Sequence, residues 1–355
     1  MDDETRARRE RCHTFIHGDG LVRPVDLLAS IGDDVVPDVY GDGGVVADLE
    51  ADIAELLGFP AAVFLPSGTM AQAATLRVHA DQRARRTVLW HPTCHLATHE
   101  GEAYSRVHAL TGRAVGGADR LLTRDDLDGV AEPPAAVLWE LPQRDLGGQL
   151  PDWDDLGDQL AWAGDRGAAT HLDGARLWEA SAGYGRTPAE IAGRFDTAYV
   201  SFYKGIGALP GCCVVGSEAV VGQVREWRKR LGGTLFAMWP NAATASARLP
   251  ERLAEMPARL EHARAIAAAL AAAPGVRMVP DPPQTPMMHL LFGVTRDRFA
   301  ANARRLAEEQ GVWAWPEPMP TGDPDVVRCE LSVGRATCLL EPARIAEILD
   351  ELTAS

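Results

Sequence analysis

From about residue 47 the chain alternates short apolar runs with longer amphipathic stretches, and this alternation restricts it to an α/β architecture. Val46 to Leu57 has the spacing of an amphipathic helix. Ala61 to Leu65 reads as a short buried strand that ends at Pro66-Ser67-Gly68-Thr69, and another helix starts at Met70. Further apolar runs lie at Thr87 to Trp90, Ala135 to Trp139, Ala169 to Leu172, Thr197 to Phe202 and Cys212 to Val215. Most are separated by helix-like stretches, which predicts a largely parallel sheet with sites at the carboxyl ends of its strands.

Beyond a helix-like segment, Val221 to Leu231, come alanine- and arginine-rich helices to about Ala273. The texture then changes to a proline-rich stretch, Pro280 to Pro286, with short strands at Met288 to Phe292 and Val326 to Val333 and a final helix from Glu341. The expected organisation is an N-terminal arm over residues 1–35, a large domain over 36–245 and a smaller α/β domain over 246–355. With 355 residues, 46% of them hydrophobic, the chain is long enough to bury such a core. A formal charge of −15 argues against nucleic acid or an anionic membrane as the main partner. The charged start, Met1 to Cys12, and the lack of an apolar run near ~20 residues speak against a signal peptide and a membrane span. Cys12, Cys94, Cys212, Cys213, Cys329 and Cys338 show neither a CxxC pair nor metal-ligand spacing, so no metal site is expected, and reduced thiols in a cytoplasmic setting fit best.

Only two lysines occur, Lys204 and Lys229, and the first sits in Ser201-Phe202-Tyr203-Lys204-Gly205-Ile206-Gly207. An amine at the end of an apolar strand, followed by glycines, can attack a carbonyl once it sheds its proton, which arginine does not do. An arginine-biased composition would also make lysines scarce. Three other strand ends carry polar groups. Ser67, Gly68 and Thr69 open a helix with free N–H groups and two hydroxyls suited to a phosphate, or with a plain N-cap serine. His95, soon after Thr87 to Trp90, can stack on a flat aromatic cofactor or exchange protons, with His99 and Glu100 near enough to orient it; it can equally be a structural loop histidine. Asp173, at the tip of His171-Leu172-Asp173-Gly174-Ala175-Arg176, needs a positive partner, either a protonated ring nitrogen or Arg176. Lys204 follows Asp173 by 31 residues, which lets both emerge from neighbouring strand ends onto one crevice. There an aspartate could hold a pyridinium while a lysine forms an imine with the attached aldehyde.

The wording of the motifs adds to this. Asp38-Val39-Tyr40-Gly41-Asp42 with Leu49-Glu50, Leu65-Pro66-Ser67-Gly68-Thr69-Met70, His171-Leu172-Asp173-Gly174-Ala175-Arg176-Leu177, Lys204-Gly205-Ile206-Gly207-Ala208 and Trp227-Arg228-Lys229 with Leu231-Gly232-Gly233 resemble the low-specificity threonine aldolases of the β-eliminating lyase superfamily. The match runs from about residue 36 to 235 and more thinly to the end. The resemblance implies a fold type I enzyme of the aspartate-aminotransferase class, with a mostly parallel seven-stranded sheet and a smaller C-terminal α/β domain, dependent on pyridoxal 5'-phosphate.

By the same resemblance Lys204 would bind the cofactor aldehyde, Asp173 its ring nitrogen, and Ser67, Gly68 and Thr69 its phosphate, while His95 would stack on the ring and take part in proton transfer. Arg176 and Arg328 would hold the substrate carboxylate. Tyr40 and Lys229 correspond to positions near the cofactor contributed across a subunit interface, which implies a homodimer or homotetramer. The family's Glu-Asn-Thr-His-Asn motif reads Glu140-Leu141-Pro142-Gln143-Arg144 here, so a histidine near the substrate hydroxyl becomes Gln143, which can hydrogen-bond but cannot act as a base near neutral pH. After Gly232-Gly233 the chain has Thr234-Leu235-Phe236-Ala237 where the family has Gly-Met-Arg-Gln, and His17-Gly18-Asp19-Gly20 stands near the family's Ser-Asp-Thr segment, which brings His17 toward substrate recognition. The expected reaction is cleavage or formation of β-hydroxy-α-amino acids, with an amino acid and an aldehyde as small-molecule partners. A β-elimination, racemisation or transamination on the same scaffold, and a cofactor-binding protein without turnover, remain as alternatives.

Overall fold

The computed structural model describes residues 1–270, 273, 275–315 and 317–354. Two units divide the chain, one made of residues 24–145 and 150–254, the other of 1–23, 146–149 and 255–355.

In the larger unit seven strands form one sheet: β1 (Ala61–Leu65), β2 (Thr87–Trp90), β3 (Thr111–Ala114), β4 (Ala136–Glu140), β5 (Ala169–Gly174), β6 (Thr197–Ser201) and β7 (Cys212–Gly216), in the spatial order β1-β7-β6-β5-β4-β2-β3. Only β7 runs against its neighbours, β1 and β6; the other pairs are parallel. Strands β4 to β7 are buried almost throughout, as a parallel sheet covered on both faces requires. The exception is the edge strand β3, Thr-Gly-Arg-Ala, mostly exposed and held by its pairing to β2. With no apolar run to announce it, β3 escapes a reading by hydrophobic pattern.

Helix α1 (Gly44–Leu57) turns Val45, Val46, Leu49, Ile53 and Leu57 inward on a helical repeat, and burying each large side chain contributes about 1.5–3 kcal/mol. Helix α2 (Gly68–Arg83) crosses the middle of the sheet. Ala71, Ala74 and Val78 pack with Val63, Leu65, Tyr199 and Val214, and Ala73, Leu76 and Ala80 pack with Val88, Trp90 and Leu138. Small side chains let this helix lie close, and among them it also buries the polar Gln72, Thr75 and His79. Helix α3 (Glu218–Arg230) adds Val220, Val221 and Val224 to the same core.

The smaller unit holds a four-stranded antiparallel sheet in the order Met319–Pro320, Val327–Ser332, Met287–Phe292, Val276–Val279. Helices Arg296–Gln310 and Pro342–Glu351 cover it, with Phe292, Phe299, Leu306, Leu331, Ile345 and Ile348 in its core. Residues 1–23 belong here, because Thr14–Phe15 pairs in parallel with Val312–Trp313 and Gly18 bridges Val333. Among the described residues no helix is long and apolar enough to cross a membrane.

Candidate active site

Parallel register places three polar residues side by side at the carboxyl end of the sheet: Glu140 of β4 pairs with Asp173 of β5, which pairs with Tyr199 of β6. They line one cleft together with Gly68, Thr69, His95, Glu100, Arg144, Arg176 and Lys204. Six of the residues singled out from sequence, Gly68, Thr69, His95, Asp173, Arg176 and Lys204, therefore share one cavity.

Asp173 is 3% exposed, and its Oδ1 accepts from the backbone N–H of Ala175 at 3.0 Å. Glu140 accepts from the backbone N–H groups of Arg144 (3.1 Å) and His95 (3.4 Å) and from the Gln143 amide (3.4 Å). Burial raises both carboxyls above the ordinary carboxylate range; the charge of Asp173 adds to the rise at Glu140, and that of Glu100 to the rise at Asp173. The positive charges of His95 and Lys204 pull Asp173 back toward ionisation, which places both groups within its field.

His95 begins a short helix, His95–Thr98, and its Nδ1 lies 3.0 Å from Oε1 of the deeply set Glu100 side chain. That hydrogen bond is the main reason the imidazole is held above its ordinary pKa, against the opposing effect of burial. With Nδ1 committed to Glu100, Nε2 is the ring nitrogen left to exchange a proton with a bound molecule. The other carboxylate oxygen of Glu100 is buried and has no protein partner among the described residues.

At the opposite wall, Ser67 caps α2, its Oγ accepting from Met70 N–H at 3.3 Å. The N-cap role open to this serine is thus realised, while the first N–H groups of the helix, at Gly68 and Thr69, have no carbonyl inside the helix to bind. A side chain at position 68 would run into the Tyr199 hydroxyl, so glycine is required for the helix to start against the phenol. Lys204, past the end of β6, sets its Nζ 5.2 Å from the centre of the Tyr203 ring.

The remaining expected site residues lie elsewhere. Gln143 is 4% exposed and lines a small neighbouring cavity with Glu140, His91 and Leu138, its amide donating to Thr93 Oγ1 at 3.1 Å. Tyr40 is exposed at φ 55°, edge-on to Phe236 with ring centres 5.3 Å apart; the buried Asp38 fixes that loop by accepting from the N–H groups of Gly41 and Met238, both at 2.8 Å. Lys229 is exposed on α3. Arg328 and His17 belong to the smaller unit. There Arg328 Nη2 reaches the Met319 sulfur at 3.8 Å, and His17 accepts from Ser332 N–H at 3.1 Å and packs against Trp315. The cleft also contains Gln72 and Tyr199, which the sequence reading passed over. Tyr199 sits inside an apolar strand, but Gln72 left a signal as a polar residue on the alanine-rich inner face of α2, one turn past Gly68.

An amine, a buried carboxylate and an exposed helix N-terminus converge on this cleft. The sequence pattern of the beta-eliminating lyases matches residues 23–291. The chain belongs to the beta-eliminating lyase family. A candidate L-allo-threonine aldolase of known structure from Listeria monocytogenes is 36% identical and superposes with a TM-score of 0.91 over 98% of this chain and 97% of that one. Low-specificity L-threonine aldolase 1 of Arabidopsis thaliana is 26% identical, with 84% of this chain and 86% of the plant protein covered. Aldolase vrtJ of Penicillium aethiopicum is 34% identical over 226 residues, 61% of this chain and 57% of the fungal protein.

This beta-eliminating lyase is a pyridoxal-phosphate enzyme of fold type I. The cleft fits that cofactor by its chemistry: a primary amine for an aldehyde, a carboxyl for a ring nitrogen, and N–H donors for a phosphate. Asp173 in particular is a buried acid whose ionisation a cationic ring nitrogen would restore.

Proposed function

We propose that this lyase cleaves β-hydroxy-α-amino acids to glycine and an aldehyde, and joins them in the reverse direction. The observation that carries the reading is the convergence of Lys204, Asp173, His95 and Arg176 on one cleft at the strand ends, in a family member whose relatives include threonine aldolases. Pyridoxal phosphate, when bound, supplies an aldehyde for the amino group and an electron sink for the pair released as Cα–Cβ breaks. Lys204 would hold that aldehyde between turnovers, Asp173 would pair with the ring nitrogen, and Ser67, Gly68 and Thr69 would donate to the phosphate. Arg176 would bind the substrate carboxylate and so set the angle of the bond to be broken.

The β-hydroxyl proton needs an acceptor. Gln143 cannot take it, since an amide is not a base near neutral pH, so the task falls to Nε2 of His95, with Glu100 fixing the ring and stabilising the imidazolium that forms. The same glutamine supports a second reading, in which substrate recognition has been rebuilt for another reaction at Cα, such as racemisation or β-elimination. The assembly is a cytoplasmic homodimer or homotetramer, a reading supported by six unpaired cysteines and by the exposed Tyr40 and Phe236 rings on two loops that Asp38 ties together.

Supplying threonine, allo-threonine and phenylserine to the purified holoprotein separates the readings. Equal amounts of glycine and aldehyde support the aldolase; ammonia with a keto acid, or inversion at Cα alone, supports the second reading and contradicts the first.

A further inference from the structure

One layer beneath the row formed by Glu140, Asp173 and Tyr199, the central strands carry His171 and Thr197 in register. Helix α2 lays Gln72 and His79, two turns apart, over the same place. Nε2 of His79 lies 2.8 Å from Thr197 Oγ1, which lies 2.8 Å from Nδ1 of His171, and Nε2 of His171 lies 2.7 Å from Oε1 of Gln72. All four residues are buried, and Gln72 alone among them also lines the cleft.

The Thr197 hydroxyl has a single proton to give and two ring nitrogens to satisfy, so one histidine must donate to it and the other accept from it. Burial keeps both rings neutral, each with a single N–H. Two directions are possible, and His79 decides between them, because its Nδ1 is buried without a partner among the described residues. If the row of donors ran toward His79, that atom would be an orphaned N–H, which folded proteins rarely tolerate. Run the other way, Nδ1 is only a lone pair, which leaves no donor unsatisfied. His79 Nε2–H therefore donates to Thr197, Thr197 to His171 Nδ1, and His171 Nε2–H to Gln72 Oε1. The carbonyl of Gln72 is consumed in this way, and its amide nitrogen is left to face the cleft.

We propose that Gln72 is a further cofactor-binding residue, donating its amide N–H to an anionic oxygen of the bound cofactor, and that His171, Thr197 and His79 are positioning residues whose tautomers keep it turned that way. The inference rests on the assignment of this cleft to pyridoxal phosphate.

Two readouts independent of turnover test it in the full-length protein: the dissociation constant for pyridoxal phosphate, followed by tryptophan fluorescence, and histidine ring 15N shifts, which report tautomers. In wild type both His79 and His171 are expected as Nε2–H forms. Thr197→Val, which cuts the relay away from the cleft, should weaken cofactor binding about five-fold, the worth of one neutral hydrogen bond, and Thr197→Ser should restore it. Gln72→Glu, which replaces the donor by an acceptor, should weaken it at least as much, and it carries the test if Thr197→Val does not fold. A loss shared by pyridoxal and its phosphate ester places the acceptor on the ring, and a loss confined to the ester places it on the phosphate. Unchanged dissociation constants in the variants while wild type binds, or Nδ1–H tautomers in wild type, would overturn the proposal. Wild-type protein that binds no cofactor would overturn the assignment of the cleft itself, and this inference with it.

Discussion

Glu100 sets the ionisation of His95 through a hydrogen bond between two side chains five residues apart, so the consequence for activity can be read at single atoms. An acceptor for the substrate proton must be neutral, and the Glu100 carboxylate favours the protonated ring. The acid limb of kcat/KM against pH should therefore fall above the ordinary histidine value of about 6.5. Glu100→Gln should move that limb to lower pH while lowering the plateau roughly ten-fold as the ring loses its anchor. A pH–rate profile of the variant that leaves the limb in place assigns the proton to another group. Gly68→Ala tests the other wall: because a Cβ there meets the Tyr199 hydroxyl, the variant should lose cofactor affinity with little change in circular dichroism. Legibility from sequence differed sharply among these residues. Asp173, at the tip of an apolar strand, and Lys204 and His95, a few residues beyond two others, could be singled out by that position, whereas Tyr199 could not, since a tyrosine within such a strand looks like any core residue until neighbouring strands bring it into register with Asp173.

Among elements, the buried strands announced themselves and the exposed edge did not. Ala61–Leu65 and Thr87–Trp90 have the limits their apolar runs predict, and four other strands differ from theirs by a residue or two, because burial on both faces demands continuous apolar sequence. Strand β3, Thr111–Ala114, faces solvent, so its existence depends on pairing with β2, which pattern alone does not contain. The interface between α2 and the sheet has a measurable signature of its own. Burial first, then the charges of Arg83 at His79 and of His79 at His171, hold these pKa values down to about 4 and about 3, and Asp196 opposes the shift at His79. Since the folded-state values lie below the unfolded one, the unfolded chain binds more protons under mild acid, and stability falls as pH drops from about 6.5 toward the folded-state values. The loss approaches about 1.4 kcal/mol per pH unit for each histidine. Urea unfolding at pH 7.5 and pH 5 should show this, and His79→Gln should flatten the dependence; an unaltered slope would assign the acid sensitivity to other groups. At α1, Leu49→Ala should cost about 2–5 kcal/mol, read as a lower urea midpoint, because Leu49 is fully enclosed.

For the whole molecule, the expected homo-oligomer makes a claim about surface. Tyr40, Phe236 and Leu235 are large, apolar and exposed together on one side of the larger unit, where Asp38 holds Tyr40 at positive φ. Light scattering should give two or four times the 38.2 kDa chain mass, and Phe236→Ser should shift the population toward the single chain; a monomeric wild type would contradict the assembly. The central claim, that this beta-eliminating lyase acts through a cofactor covalently held at one amine, has a more direct test because only Lys204 and Lys229 can carry it. Borohydride reduction of the holoprotein followed by peptide mass spectrometry should find the pyridoxyl adduct on Lys204 and none on Lys229, and Lys204→Ala should abolish both the adduct and turnover with its fold intact. An adduct on Lys229 alone, or full turnover in the Lys204→Ala variant, would contradict the account.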